Sequence, residues 1–264
     1  MENPIISIVT ICYNSASSIE ETILSVLSQD YPNLDYVIID GGSTDGTMDI
    51  VNKYRNRLGY VCSEPDKGIS DAFNKGVRNS KGDVIGIINS DDILLPGALN
   101  SIASAYDGKT DAYRGNVIIV NKDSGFRGRE IPSMKFPLAP FITHVAHQGT
   151  FISRAAYDRW GLYDINFRYM MDYDLMTRIY KGGALFKYVN YDIAEFRLGG
   201  VSVSDIKKKR YDIEHVVLNN GGSKPLARYF YYYMYLFDAC KRAFTSLFGI
   251  DMLKRLHYLK NKNR

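Results

Sequence analysis

The chain has 264 residues, 45% of them hydrophobic, enough to bury one sizeable α/β core with at most a small appendage. Its formal net charge of +4 is too small to point to a nucleic-acid partner. Three widely spaced cysteines, Cys12, Cys62 and Cys240, suggest neither a disulfide framework nor a zinc site, and read as small buried hydrophobes in a reducing compartment.

The N-terminus, MENPIISIVT, lacks the basic start and small-residue cleavage site of a secretory signal. No run approaches the roughly 20 apolar residues of a membrane-spanning helix. A cytoplasmic protein is expected. Ile5 to Tyr13 is a nearly continuous apolar, β-branched run, the pattern of a buried parallel strand. Ser18 and Glu21 have capping-box spacing before the helical stripe Ile19, Ile23, Val26 and Leu27. Tyr36 to Ile39 predicts a second strand ending at Asp40, and the turn cluster GGSTDGT leads into Met48, Val51, Tyr54 and Leu58 at helical spacing.

Tyr60 to Ser63 predicts a third strand, Ile69, Ala72, Phe73, Gly76 and Val77 a helix, and Asp83 to Asn89 a fourth strand. Pro96 is expected to open the next helix. This rhythm predicts an α/β fold: a mostly parallel mixed sheet flanked by helices. After about residue 110 the pattern changes. Val117 to Val120 and Phe126 to Ile131 read as a hairpin around the loop NKDSG. Pro132, Pro137 and Pro140 mark an irregular crossing. Gly149 to Ser153 reads as a short strand, and Asp172 to Lys181 as a helix stopped by Gly182 and Gly183. From about Leu226 the chain is aromatic, basic and helix-prone, so two parts are expected: an α/β domain over 1–225 and a helical extension over 226–264.

In open α/β sheets, ligands bind beyond the carboxyl ends of the strands. Tyr13-Asn14, Asp40, and Asn89-Ser90-Asp91-Asp92 fall at three such ends. An aromatic ring can stack on a base, a carboxylate can accept from a base N–H, and Asp91 and Asp92 could hold a hard divalent cation together with phosphate oxygens. The chain has no G-x-G-x-x-G, no P-loop and no G-x-S-x-G, which disfavours a dinucleotide enzyme, a P-loop NTPase and an α/β-hydrolase.

The segments SIVTICYN, VIIDGGSTDGT, SEPDKGISDAFNKG, IINSDD, AHQGTFISR and YMMDYDLMTRI, in this order and covering roughly Ile5 to Ser202, resemble the family-two glycosyltransferases of GT-A fold. The likeness is greatest to bacterial enzymes that build O-antigen, capsule or colanic-acid-type polysaccharide. It implies an inverting transfer of a sugar from a nucleotide-diphosphate donor, UDP by default, to a saccharide or lipid-linked acceptor, with Mn or Mg as cofactor. Tyr13, Asp40, Asp66, Lys67 and Ser90 would line the nucleotide site. Asp91, helped by Asp92, would bind metal, and Asp172 would be the catalytic base. His147 and Gln148 would meet the acceptor or diphosphate. Two positions depart from the family pattern: Asn89 replaces the first acid of the D-x-D motif, and Met171 replaces the glutamate before the base.

Arg197 precedes the loop Leu198-Gly199-Gly200-Val201-Ser202, which is read as a lid over the diphosphate. Other roles compete at several positions. Asp172 could serve as a cap, Asp91 and Asp92 could favour the dipole of the helix that follows them, Asp174 is placed to pair with Arg178, and Lys207 to Arg210 reads as a solvated face. The tail pairs Tyr229 to Tyr235 and Phe237 with Lys241, Arg242, Lys254, Arg255, Lys260, Lys262 and Arg264, the composition of a peripheral helix on an anionic membrane. Packing on the domain or on a homodimer partner is the alternative. Rival functions are a non-catalytic sugar-nucleotide-binding scaffold and a sugar nucleotidylyltransferase, whose glycine-rich loop is replaced here by YNSASSIEE.

Overall fold

The structure is a computed structural model that describes residues 3–121, 124–137, 145–198 and 206–248. The apolar run at the N-terminus forms β1 (Ile6–Cys12), buried on both faces as its composition dictates. It is followed by α1 (Ile19–Leu27), β2 (Leu34–Asp40), α2 (Thr47–Lys53), β3 (Tyr60–Ser63), α3 (Ile69–Asn79) and β4 (Val84–Asn89). β1 pairs in parallel with both β2 and β4, and β2 with β3. The chain ends of β1, β2 and β4 therefore reach one rim, with Cys12 level with Asp40 and Ile11 level with Asn89.

The second half is mixed. β5 (Ile93–Leu94) and α4 (Ala98–Ala105) precede the hairpin of β6 (Ala112–Asn121) and β7 (Phe126–Glu130). β8 (Thr150–Ser153) lies antiparallel between β4 and β6, joining the halves. α5 (Arg154–Trp160) and α6 (Met171–Lys181) lead to β9 (Phe186–Arg197), parallel to β6, and then to α7 (Arg210–Asn219) and α8 (Lys224–Phe248). The sheet order is β3-β2-β1-β4-β8-β6-β9-β5, with β7 on β6. Two apolar cores cover its faces: one includes Val9, Phe73, Ile87 and Met176, the other Ile8, Ile23, Ile38 and Leu99.

Several local expectations are corrected. The capping box fails: Ser18 precedes α1 but makes no side-chain cap bond. Pro96 does not open α4, which begins at Ala98 behind Gly97 in a left-handed conformation (φ 78°). Asp172 is not a cap; Met170 holds that position and Asp172 lies in the first turn. Cys240 is exposed, unlike buried Cys12. The paired Asp174 and Arg178 stand as expected, 3.4 Å apart. The centre of the NKDSG loop, Pro140, the glycine loop after Leu198, and tail residues Lys254, Arg255, Lys260, Lys262 and Arg264 lie outside the described residues.

The C-terminal helix is not detached. Ile213 and Tyr231 pack α7 against α8 with Ile206, and Met170, Phe230, Met234 and Tyr235 adjoin them. No helix among the described residues is long and apolar enough to cross a membrane.

Candidate active site

A cavity of about 1010 Å³ opens along the rim where β1, β2 and β4 end. Tyr13, Asp66, Ser90, Asp91, His147 and Asp172 all line it, brought from separate chain segments. Tyr13 is 64% exposed, so its ring face is available for stacking. Beside it the chain passes at Gly41, where a β-carbon would meet Asp66 Oδ2 at 2.6 Å and Tyr13 Cδ2 at 3.4 Å. Only glycine lets the Asp66 carboxylate close over the strand end.

The two loops on this side are laced together. Asn14 accepts from the Thr44 amide (2.9 Å) and donates its own amide to Ser43 Oγ (2.7 Å). Asp45 accepts from the Ala16 amide (2.9 Å) and the Thr47 amide (3.0 Å). Asp40 belongs to this framework and not to the cavity wall. It is fully buried and accepts from the amides of Gly42 (3.1 Å) and Ser43 (2.9 Å) and the hydroxyls of Ser43 and Ser63. Burial alone would raise its carboxyl; the Ser43 and Ser63 hydrogen bonds outweigh burial and hold it below the usual range. In this state the expected base-edge contact is occupied by the protein's own donors. Lys67 is exposed and off the cavity; its amide caps onto Asp71 at 3.0 Å.

At the end of β4 the two aspartates part ways. Asp91 faces the cavity, where burial raises its carboxyl against the opposing charges of Arg197 and His147. Asp92 turns inward, is fully buried, and is spent on the protein: Gln148 Nε2 donates to Oδ2 at 2.8 Å and the Arg197 amide to Oδ1 at 3.1 Å. Burial and the neighbouring Asp91 charge push its carboxyl up to about 6. Asp92 thereby ties the end of β4 to β9 and the Gln148 turn. Arg197 is also drawn away. Its guanidinium forks onto Glu21 at 2.7 and 2.6 Å, and it does not line the cavity. Gln148, 2% exposed, reaches the cavity edge while bonded to Asp92.

No cluster of three metal-ligating side chains occurs among the described residues. The donor set still fits a hard cation of the kind that takes one or two carboxylates and completes its shell with substrate phosphate oxygens. Asp91 would supply the carboxylate. The nearby Asn89, in place of an acid, leaves that contribution single.

Asp172, at the start of α6, lines the same cavity. Its Oδ1 accepts the Tyr173 amide at 2.7 Å, and its Oδ2 lies 3.6 Å from His147 Nδ1. The loop before it is fastened on two sides by residues that sequence reasoning missed. Asn74 of α3 brackets the Tyr163 backbone, accepting its amide (2.9 Å) and donating to its carbonyl (2.8 Å). Asp212 of α7 receives the amides of Arg168, Tyr169 and Met170 on one oxygen, at 3.0, 2.6 and 3.0 Å. Burial raises the Asp212 carboxyl, and these three amides oppose the rise. In sequence, Asp212 reads as an ordinary first-turn acid, and no local signal marks its distant partners. Lys209, expected on a solvated face, lines the cavity, as do Arg168 and Met234 of the C-terminal helix. Met171, in the place of the family's glutamate, is 5% exposed and packs in the core.

A parallel nucleotide-side half joined by an antiparallel strand to a mixed half, with acidic residues at the shared rim, defines the GT-A class of nucleotide-sugar transferases. Residues 7–166 match the profile of glycosyl transferase family 2, and the chain belongs to that family. It is 27% identical over 217 residues to the PGL/p-HBAD biosynthesis glycosyltransferases of Mycobacterium tuberculosis and Mycobacterium bovis, covering 79% of this chain and 83% of theirs. Among solved structures it is similar to Staphylococcus aureus TarS 1-349 in complex with UDP-GlcNAc, with TM-score 0.65, 18% identity, and 86% and 70% of the two chains covered. It is also similar to the mannosyltransferase PcManGT from Pyrobaculum calidifontis in complex with GDP-Man and Mn2+, with TM-score 0.63, 17% identity, and 98% and 81% covered.

Proposed function

We propose that this glycosyltransferase is an inverting, metal-assisted enzyme. In this reading it moves a sugar from a nucleoside-diphosphate donor, UDP by default, to a hydroxyl of a saccharide or lipid-linked acceptor in cell-surface polysaccharide synthesis. The observation that carries the proposal is the shared cavity, lined together by Tyr13, Asp66, Asp91 and Asp172 from separate chain segments. The similar structures carry UDP-GlcNAc, and GDP-Man with Mn2+, which supports a sugar-nucleotide donor here.

In this reading Tyr13 stacks on the base, and Gly41 lets Asp66 approach the nucleoside. Asp40 acts from beneath, fixing the loop that carries both glycines. Asp172 takes the proton from the acceptor hydroxyl as its oxygen bonds to the anomeric carbon and the bond to the diphosphate breaks. A divalent metal held by Asp91 and the donor's phosphate oxygens would offset the charge left on that diphosphate. Asp92, Gln148 and the Arg197 amide keep the Asp91 turn in place. Asp212 and Asn74 hold the loop leading to Asp172, so the base meets the acceptor without reorganising.

The C-terminal helix also supports peripheral membrane attachment. Tyr229, Tyr232, Tyr233, Leu236 and Phe237 recur at helical spacing and stay 43–65% exposed, although the opposite side of α8 is packed. An aromatic face beside a basic chain end suits an anionic bilayer surface. Replacing Tyr233, Leu236 and Phe237 by serine is expected to release the protein from anionic vesicles; undiminished co-sedimentation would rule this attachment out.

A thermal-shift screen of sugar nucleotides with and without Mn2+ tests the catalytic reading. Stabilisation by one donor that requires metal, lost in Asp91→Ala, supports it. Binding without any transfer by wild type would favour the non-catalytic scaffold, the reading to which Met171 and Asn89 point.

A further inference from the structure

Arg114 of β6 is fully buried and faces Thr150 of β8 across the antiparallel ladder. Its Nε donates to Thr150 Oγ1 at 3.1 Å, and its Nη1 donates to the Ser133 carbonyl. The guanidinium lies 5.0 Å from the Phe136 ring centroid. Burial lowers it to about 10, against the pull of the Glu130 and Asp172 charges, so it remains a cation at neutral pH. A buried cation is costly, and an apolar side chain of similar length would fill the space without that cost. What the guanidinium adds is a set of donors in fixed directions.

Those donors lead to the pair of His147 and Asp172 by two routes. In the first, Thr150 Oγ1 accepts from Arg114 and donates its own proton to the Ala146 carbonyl at 3.1 Å. Ala146 directly precedes the His147–Gly149 turn. That turn sits tightly on the sheet: a β-carbon on Gly149 would come within 2.6 Å of Val117 Cγ2 and 2.7 Å of the Gly115 carbonyl oxygen. In the second, Arg114 holds residues 133–136 through Ser133 and Phe136, and the hydroxyl of Tyr173, next to Asp172, donates to the adjoining Pro137 carbonyl at 2.5 Å. The Phe136 and Tyr173 rings also meet edge to face, with centroids 6.5 Å apart. One buried side chain of the sheet is thus tied to the chain beside both His147 and Asp172, whose side chains stand 3.6 Å apart.

We propose that Arg114 is a positioning residue for glycosyl transfer: through Thr150 it fixes the turn that carries His147, and so the approach of His147 to Asp172. The catalytic consequence rests on the reading of Asp172 as the base, whereas the hold on His147 does not.

The test uses Thr150→Val, which removes the hydroxyl and keeps the shape, Thr150→Ser, which restores the hydroxyl, and Arg114→Met. The ring nitrogen signals of His147, assigned by their loss in His147→Gln, are read by NMR on histidine-labelled protein at fixed pH without substrate. They are expected to shift in Thr150→Val and Arg114→Met and to return to their wild-type positions in Thr150→Ser. On one common donor and acceptor, kcat is expected to fall about three- to ten-fold in Thr150→Val and about ten-fold in Arg114→Met, with donor KM within about two-fold of wild type. Thr150→Ser is expected to turn over like wild type. Added to His147→Gln, Thr150→Val is expected to cost less than about two-fold more, because both act through one turn. If Arg114→Met fails to fold, the two Thr150 variants carry the test. Unmoved His147 signals in Thr150→Val overturn the proposal, as does a Thr150→Ser protein that behaves like Thr150→Val, or full additivity with His147→Gln. Full turnover by Asp172→Asn, with His147 signals that still respond to Thr150, would instead remove the base reading and leave the hold on His147 standing.

Discussion

His147 Nδ1 stands 3.6 Å from Asp172 Oδ2, so the histidine of the turn before β8 and the aspartate of the first turn of α6 form one pair in the cavity wall. The other ring nitrogen, Nε2, is buried and has no hydrogen-bond partner among the described residues. At 3.6 Å the contact is too long for a full hydrogen bond and close enough to tighten when an acceptor arrives.

The pair makes unequal predictions for its members. Asp172→Asn removes the proton acceptor and should lower kcat by about 10²–10⁴-fold with donor binding unchanged. His147→Gln leaves the base in place and should cost about ten-fold in kcat. Steady-state kinetics with separate donor titration checks both; equal losses in the two variants would deny that Asp172 is the base.

Asp212 acts through the loop it holds. Asp212→Ala strands three amides and should destabilise the protein by about 2–4 kcal/mol, allowing for partial rescue by water, with a fall in kcat. Asp212→Asn keeps one accepting oxygen and should recover most of both. Denaturant titration and kinetics on the two variants separate this role from a merely charged one.

Gly76 of α3 lies against β1, where a β-carbon would come within 2.1 Å of Val9 Cγ1. Val9 is fully buried and cannot swing away. Gly76→Ala should therefore cost about 1–3 kcal/mol despite alanine's better helix propensity. A rise in melting temperature would contradict the close packing of α3 on the sheet.

Asp107 predicts a pH response far from the cavity. The amides of Thr110 and Lys109 donate to Oδ1 at 2.8 and 3.0 Å, and the Thr110 hydroxyl donates to Oδ2 at 2.9 Å. The Thr110 and Lys109 amides, followed by the Thr110 hydroxyl and Lys187, outweigh burial and hold the carboxyl well below the usual carboxylate range. A depressed folded value means the unfolded chain binds the proton first. The stability Asp107 contributes is thus fully present above the ordinary carboxylate value near 4 and lost as pH falls toward the folded value. Urea midpoints at pH 7 and pH 3 should differ less in Asp107→Ala than in wild type.

The first half of the fold was legible because each strand and helix carries one clean period. The Ile6–Cys12 run is apolar on both faces, and Ile69, Ala72, Phe73, Gly76 and Val77 fall on one helical stripe. β9 was missed because Lys187, Asn190, Asp192 and Glu195 interrupt any alternation, and its register on β6 shifts at Gly115/Asn116 and Asn116/Val117. The rim positions of Tyr13, Asp91 and Asp172 were readable from strand ends and motif order. The inward turn of Asp92 and the bidentate hold of Glu21 on Arg197 were not, because each depends on a partner distant in sequence. The same holds for Asp212, whose three partners are amides and leave no mark in composition.

The most direct test of the account is a crystal structure of the protein soaked with its stabilising sugar nucleotide and Mn2+. The base is expected against Tyr13, the metal beside Asp91 and the diphosphate, and the anomeric carbon turned toward Asp172. A nucleotide bound outside this cavity, or one whose sugar points away from Asp172, would contradict it.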